Sequence, residues 1–193
     1  EKGSKRIALR AFEIASTLKK NKSKINLHAV HKVNVMKLTD GIFLKACREV
    51  SKNYPKINYT EMLVDSAAAH LVRNPSQFDV IVTTNMFGDI LSDLASELSG
   101  SIGLGGSINV GDSLTMAQAQ HGSAPDIAGK GIANPIGQIW SGALMLDYLG
   151  EKEAASSILK SIEKTLFDKK NRTKDLGGVS NTLQCAQAVL DNL

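Results

Sequence analysis

The chain has 193 residues, of which 42% are hydrophobic and 22% are charged, and its net charge is +4. This composition excludes a disordered or fibrous protein and provides ample material for a hydrophobic core. The Lys and Arg residues are mostly dispersed and no apolar run reaches the length of a membrane span, so we expect neither a nucleic-acid partner nor a membrane. An anionic small-molecule substrate would suit the charge.

Helical and strand-like patterns alternate along the first hundred residues. Helices are predicted over 4–20, 41–52, 66–73 and 86–99, and strands over 25–31, 57–64 and 78–84. The strand over 25–31 alternates polar and apolar residues, so Lys32 and Asn34 near its end should point to the same side. Asp40 is placed to cap the following helix.

A glycine-rich segment over 100–106 marks a change of character and is predicted to be a crossing between domains. It lacks the third glycine of a dinucleotide fingerprint. Beyond it we expect an extended stretch, a long loop and further helices, over 107–120, 121–131, 135–149, 151–167 and a last helix ending at Asn192. The predicted fold class is therefore α/β, with a mixed sheet in domain 1–100 and a helical layer over part of a sheet in domain 101–193.

Two carboxylates, Asp89 and Asp93, lie four residues apart in a predicted helix and therefore project from one helix face. Spacing alone favours a solvated acidic face. The strand over 78–84, however, delivers this helix to the carboxyl edge of the sheet, where open α/β sheets bind ligands. Hard oxygen donors at that place indicate a Mg²⁺ or Mn²⁺ site.

Several motifs occur together along the chain, in one order and spacing. They are Val30 to Met36, Val64-Asp65, Asn85 to Asp93, His121 to Gly129, Gly131 to Pro135 and Asp175 to Gly178. This set resembles the isocitrate/isopropylmalate dehydrogenase family of β-decarboxylating dehydrogenases, most closely its NAD-dependent isocitrate and homoisocitrate branches. The resemblance implies that the chain is the carboxyl-terminal part of that two-domain fold: most of the smaller, dimer-forming domain over 1–100 and the last part of the larger, cofactor-binding domain over 101–193. An amino-terminal portion of roughly 130–150 residues is expected to be absent.

The resemblance implies NAD-dependent, metal-assisted oxidative decarboxylation of a 3-substituted malate. Isocitrate is ranked first, homoisocitrate second, then 3-isopropylmalate or tartrate. Asp89 and Asp93 would hold Mg²⁺ or Mn²⁺, and Asp65, a catalytic as well as a metal residue, would complete the set from a neighbouring subunit. Lys32 would be the catalytic lysine that assists proton removal from the substrate hydroxyl. Asn34 would contact the nicotinamide side of the cofactor.

The loop over 121–135 resembles the family's cofactor site, because its small residues let the backbone approach a dinucleotide. The contacts would come from His121, Gly122, Ser123, Ala124, Pro125, Asp126, Ile127 and Asn134. Asp126 would accept hydrogen bonds from ribose hydroxyls and repel a 2′-phosphate, which favours NAD over NADP. Asp175 could orient a loop near the cofactor, but we expect it to cap the last helix.

The resemblance also implies a homodimer or hetero-oligomer with sites shared between subunits. The helices near 65–73 and 86–99 would pack on their symmetry mates through Ala67, Ala68, Leu71, Leu91, Leu94 and Leu98. The isolated chain, with half a site, is expected to be inactive. The two cysteines suit buried thiols in the cytoplasm or, alternatively, the mitochondrial matrix. A regulatory, non-catalytic subunit is the alternative from another class, although such a subunit would be free to lose the Lys and Asp residues named above.

Overall fold

The computed structural model describes residues 1–18 and 24–193. The described residues divide into two compact units, Glu1–Leu94 and Ala95–Leu193. The end of the first predicted helix, at 19–20, lies outside the described residues. Within the described ranges, no helix combines the length and the apolar character needed to cross a membrane.

The first unit alternates helices and strands, as its sequence pattern predicts. Its elements are α1 (Lys2–Thr17), β1 (Ile25–His31), α2 (Thr39–Ser51), β2 (Ile57–Leu63), α3 (Val64–Arg73), β3 (Val80–Thr83) and α4 (Asn85–Leu98), which continues into the second unit. In the described part of the first unit, the strands form one parallel sheet in the order β2-β1-β3. The predicted mixed sheet is therefore wrong for these residues, because helices connect the strands as parallel crossovers.

The central strand, β1, is buried along its length except at Asn26. The alternation of polar and apolar residues in this strand does not produce alternating exposure, because helices cover both faces of the sheet. On one face, α1 and α2 enclose a core that includes Phe12 and Phe43. On the other face, Leu71 of α3 and Leu91 of α4 pack against Val30.

The parallel arrangement brings the ends of the strands to one edge. His31, the last residue of β1, pairs with Leu63 of β2, and Val30 pairs with Thr83 of β3. Lys32, Asp65 and the start of α4 therefore all follow the carboxyl ends of adjacent strands. This is the edge at which α/β sheets bind their ligands.

The second unit contains a β-hairpin and a helical layer. Its main elements are β4 (Gly106–Val110), β5 (Thr115–Ala119), α5 (Ile136–Tyr148), α6 (Lys152–Phe167) and α7 (Thr182–Asp191), with single 3₁₀ turns at Ile102–Leu104, Lys169–Asn171 and Lys174–Leu176. The strands β4 and β5 pair antiparallel. The start of α5 packs closely against the backbone of Gly105 because residue 137 is glycine. A Cβ at Gly137 would lie 2.7 Å from the carbonyl oxygen of Gly105.

Two of the predicted helix caps are wrong. Asp40 is the second residue of α2, and its carboxylate binds the backbone of Lys32. Asp175 lies in a 3₁₀ turn, and α7 is instead capped by Asn181, which forms a reciprocal capping box with Gln184. An acidic residue near a helix start is an ambiguous signal, because tertiary partners compete for its carboxylate.

Candidate active site

Lys32 and Asp65 form an ion pair at the carboxyl edge of the parallel sheet. The Lys32 ammonium lies 2.6 Å from Oδ1 of Asp65. The Lys32 side chain is only 25% exposed, whereas the Asp65 side chain is 65% exposed. The hydrogen bond from Lys32 is the main cause that holds the pKa of Asp65 below its ordinary value. The pair therefore presents a lysine nitrogen beside an exposed carboxylate.

The backbone turns immediately after β1. The carbonyl of Lys32 accepts hydrogen bonds from the N–H groups of Val35 and Met36, at 2.9 and 2.8 Å. The backbone N–H of Lys32 donates to the Asp40 carboxylate at 2.6 Å. Asn34 is exposed and lies in this turn, beyond the end of β1 at His31, so the strand geometry expected to align it with Lys32 does not extend to it. Its contact with the nicotinamide stays a prediction.

Asp89 and Asp93 are exposed on α4, one helical turn apart, while Phe87 and Leu91 on the same helix are buried. Two carboxylates in this arrangement offer the hard oxygen donors that Mg²⁺ and Mn²⁺ prefer. Among the residues that the structure describes, no group of three or more His, Cys, Asp or Glu is placed to hold a metal ion. Within one chain, Asp65 therefore contacts Lys32 and does not form a three-carboxylate cluster with Asp89 and Asp93 of α4.

A polar network lies beside this edge. Arg48 donates two hydrogen bonds to Glu61, both 2.7 Å long, and the Tyr59 hydroxyl donates to the same carboxylate at 2.9 Å. The hydrogen bonds from Arg48 are the main reason that the pKa of Glu61 lies below its ordinary value. Burial lowers the pKa of the neighbouring His31, whose Nδ1 accepts the N–H of Val33. His31 thus acts as a structural acceptor.

The second unit contains a cavity of about 500 Å³. Six of the residues predicted to contact the cofactor line it: His121, Gly122, Ser123, Ala124, Ile127 and Asn134. Pro125 and Asp126 belong to the same loop but are not among the lining residues, and both are exposed. Most of the predicted cofactor residues of the second unit therefore line one cavity. Asp126, the carboxylate predicted to select NAD, does not line it.

The loop backbone is held in an unusual conformation. Ala124 has a φ of 41°, in the left-handed region that residues with a side chain rarely adopt, and its carbonyl accepts the N–H of Ile127 at 3.0 Å. Gly129 and Gly131 also have positive φ, at 76° and 65°. Glycine adopts such angles without strain, whereas the strain at Ala124 is of a kind that is concentrated at ligand sites.

Asn134 and Asp175 form one wall of the cavity. The Asn134 amide nitrogen donates to Asp175 Oδ2 at 2.9 Å, and its oxygen accepts the N–H of Ile136 at 3.0 Å. Burial would raise the pKa of Asp175, but hydrogen bonds from partners that include Ser101 and Asn134 hold it below its ordinary value. Asp175 is thus a fixed anion in the wall.

Comparison with known families shows where this chain belongs. The sequence profile of the isocitrate/isopropylmalate dehydrogenases matches residues 1–191. The chain belongs to the isocitrate/isopropylmalate dehydrogenase family. The resemblance drawn from its motifs and the α/β fold predicted with it are thereby confirmed.

Individual members of the isocitrate/isopropylmalate dehydrogenase family are close in sequence and structure. The chain is 49% identical over 193 residues to the isocitrate/homoisocitrate dehydrogenase of Thermus thermophilus, covering all of this chain and 56% of that protein. It is 45% identical over 191 residues to the mitochondrial NAD isocitrate dehydrogenase catalytic subunit 5 of Arabidopsis thaliana, covering 98% and 51%. The crystal structure of isocitrate dehydrogenase from Methylococcus capsulatus superimposes with a TM-score of 0.94 at 42% identity, covering 99% and 56%. The chain spans about half the length of these relatives.

Two features of this isocitrate/isopropylmalate dehydrogenase chain were not anticipated from its sequence. Asp40 binds the backbone of Lys32, and the available signal was an acidic residue eight positions after the lysine, beyond a turn. The glycine-rich segment 100–106, which reads as a domain crossing, also supplies Ser101 and Gly103 to the cavity. Gly103 is required there, because a Cβ would lie 2.7 Å from Cβ of Asn134.

Proposed function

We propose that the complete protein is an NAD-dependent dehydrogenase that oxidises and decarboxylates a 3-substituted malate with the help of Mg²⁺ or Mn²⁺. The observation that carries this proposal is the 2.6 Å contact between Lys32 and Asp65 at the edge where β1 and β2 end. A lysine nitrogen at the ligand-binding edge of the sheet supports the proposal, because a lysine that has lost its proton can act as a general base. Membership of the family supports the same reaction class.

In this reaction the substrate hydroxyl loses a proton and its carbon loses a hydride to the nicotinamide. Lys32 Nζ, in its neutral form, would accept the hydroxyl proton. Asp65 would orient Nζ through the hydrogen bond between them. The resulting 2-oxo acid then loses the carboxylate on its carbon 3 as CO₂, and that carbon takes up a proton to give the product. A metal held by Asp89 and Asp93 would supply Lewis-acid stabilisation of the negative charge that develops on oxygen.

NAD is the proposed cofactor, bound at the cavity of the second unit. The cavity volume, about 500 Å³, lies within the range of small-molecule sites. His121 and Asn134 would contact the adenine, and Asn134 has a second amide N–H besides the one it donates to Asp175. Asp126 would accept from a ribose hydroxyl and select against NADP. The name of the Arabidopsis relative supports NAD.

Isocitrate, converted to 2-oxoglutarate, is the proposed substrate, and homoisocitrate is the close second. The name of the Thermus relative, which includes both acids, supports both candidates. The branches share a malate core and differ at its 3-substituent, so 3-isopropylmalate and tartrate are the further candidates. The proposed compartment is the cytoplasm or, as for the Arabidopsis relative, the mitochondrion.

A dimer or hetero-oligomer with shared sites is proposed from the exposed face of α4. Three of the six residues predicted for this contact, Ala67, Leu71 and Leu91, are buried in their own unit, whereas Leu98 is 45% exposed. Met86 and Ile90 are instead 57% and 59% exposed. Met86 lies three residues before Asp89, and Ile90 lies three residues before Asp93, so the four side chains form one stripe along the helix. A partner that covered this stripe would lie beside the metal ligands.

The deciding experiment measures NADH formation by the complete natural protein with Mg²⁺ or Mn²⁺. Isocitrate, homoisocitrate, 3-isopropylmalate and tartrate are compared at equal concentration. A clear preference would support the dehydrogenase and name its branch. Absence of turnover with all four acids, together with measurable NAD and metal binding, would favour the regulatory-subunit alternative. The isolated chain is expected to show no turnover in the same assay.

A further inference from the structure

Asp40 is a buried carboxylate that the proposed reaction does not use. Its residue surface is only 1% exposed. Burying an ionisable group is costly unless it is hydrogen-bonded. Its Oδ2 accepts the backbone N–H of Lys32 at 2.6 Å. A buried acid has thus been placed against the backbone of the lysine that forms the ion pair.

The hydrogen bonds around Asp40 close a ring. The Asp40 carboxylate accepts from Lys32, the carbonyl of Lys32 accepts from Met36 at 2.8 Å, and the carbonyl of Met36 accepts from the N–H of Asp40 at 3.0 Å. Both backbone polar groups of Lys32 are therefore engaged in the turn that links β1 to α2. The flexible Lys32 side chain starts from a backbone held on both sides.

We propose that Asp40 is a positioning residue, which fixes the backbone of Lys32 so that its ammonium meets Asp65. A role limited to starting α2 would direct the carboxylate to the N–H groups of the first turn of that helix. The structure shows no such cap: the N-cap is Leu38, whose side chain makes no capping hydrogen bond. The Asp40 carboxylate is instead directed at Lys32, the residue whose side chain reaches Asp65.

The first test measures the rate at which acetic anhydride modifies Lys32 in the complete protein, followed by peptide mass spectrometry without substrate. Asp40→Leu should raise this rate several-fold, because the ammonium is no longer held at Asp65. Asp40→Asn keeps an oxygen acceptor and should remain near the wild-type rate. Asp40→Ala replaces Asp40→Leu, with the same criterion, if the leucine variant does not fold.

Asp79 offers a matched control, because it binds the backbone at the start of β1, whereas Lys32 follows the end of β1. Its carboxylate accepts the backbone N–H of Asn26 at 2.9 Å, which is the same type of bond far from Lys32. Asp79→Leu should lower the Tm, as Asp40→Leu does, and leave the Lys32 rate unchanged. An equal rise in both variants would assign the effect to general loosening and overturn the proposal.

A double mutant separates positioning from independent effects. Asp65→Asn alone should raise the rate of Lys32 acetylation. Asp40→Leu should then raise this rate by a smaller factor in the Asp65→Asn background than in the wild-type protein. Fully additive effects would contradict the proposal. The expected effect on turnover rests on the proposed function: Asp40→Leu should lower kcat by about 10- to 100-fold and leave KM nearly unchanged. An inactive wild-type protein with the expected Lys32 rates would overturn only the proposed function, whereas unchanged Lys32 rates overturn the positioning role.

Discussion

The amide of Asn134 connects two parts of the second unit that are 41 residues apart in sequence, since it donates to Asp175 at 2.9 Å. Its oxygen also accepts the N–H of Ile136 at the start of α5. Asn134 itself is 8% exposed. One buried side chain therefore joins the cavity wall, a helix start and the 3₁₀ turn that carries Asp175.

Replacement of Asn134 by Leu should destabilise the protein and weaken NAD binding. The N–H of Ile136 and the Asp175 carboxylate would lose a partner, so the free energy of unfolding should fall by about 1–3 kcal/mol. Urea unfolding and calorimetric titration with NAD measure the two effects. Gln187→Leu is the control, since its amide donates to Asp191 on the exposed surface of α7, and it should change stability by less than about 0.5 kcal/mol.

Asp175 should contribute to acid sensitivity. Its folded-state pKa lies below the ordinary value, because its hydrogen bonds outweigh its burial. The folded protein therefore binds fewer protons on this group than the unfolded chain, so its stabilising contribution is complete above about pH 4 and is lost as pH falls through the folded-state pKa. Asp175→Asn should flatten this part of the stability curve. Chemical unfolding of both proteins between pH 6 and pH 2.5 checks it, and identical curves would contradict it.

Removal of the Lys32 amine should abolish most turnover. Lys32→Met in the complete protein should lower kcat by about 100- to 10,000-fold, because the proposed proton acceptor is gone. Steady-state NADH formation measures this. The control is Lys170→Met, which breaks an exposed lysine–aspartate pair, with Asp168 at 3.1 Å, and should leave kcat within a factor of two. Equal losses in both variants would remove Lys32 from the proposed chemistry.

The acidic pair on α4 should bind a divalent metal. Asp89→Asn should lower the Mn²⁺ affinity of the complete protein at least tenfold, because it removes one charged oxygen ligand. Electron paramagnetic resonance of free Mn²⁺ measures the affinity. Asp147→Asn changes an exposed aspartate on α5 and should have no effect. If Asp89→Asn binds Mn²⁺ as the wild type does, the pair is only a solvated helix face.

Local sequence pattern predicted most elements closely. The strand expected over 25–31 is β1, and the helix expected over 41–52 begins two residues earlier as α2. Such elements depend on the period of neighbouring side chains, which a sequence displays directly. The combination of motifs also identified the family, because several of them occur in one order along the whole chain.

Tertiary structure alone decided how the acidic side chains are used. Asp40, Asp65 and Asp175 each lie near the start of a predicted helix or turn, yet one binds a backbone N–H, one pairs with Lys32 and one receives the Asn134 amide. The partners are 8 to 41 residues away along the chain. A carboxylate pairs with whichever donor folding brings within about 3 Å. For Lys32 and Asp65 that proximity follows from the adjacency of β1 and β2 in the sheet, which local periodicity does not encode.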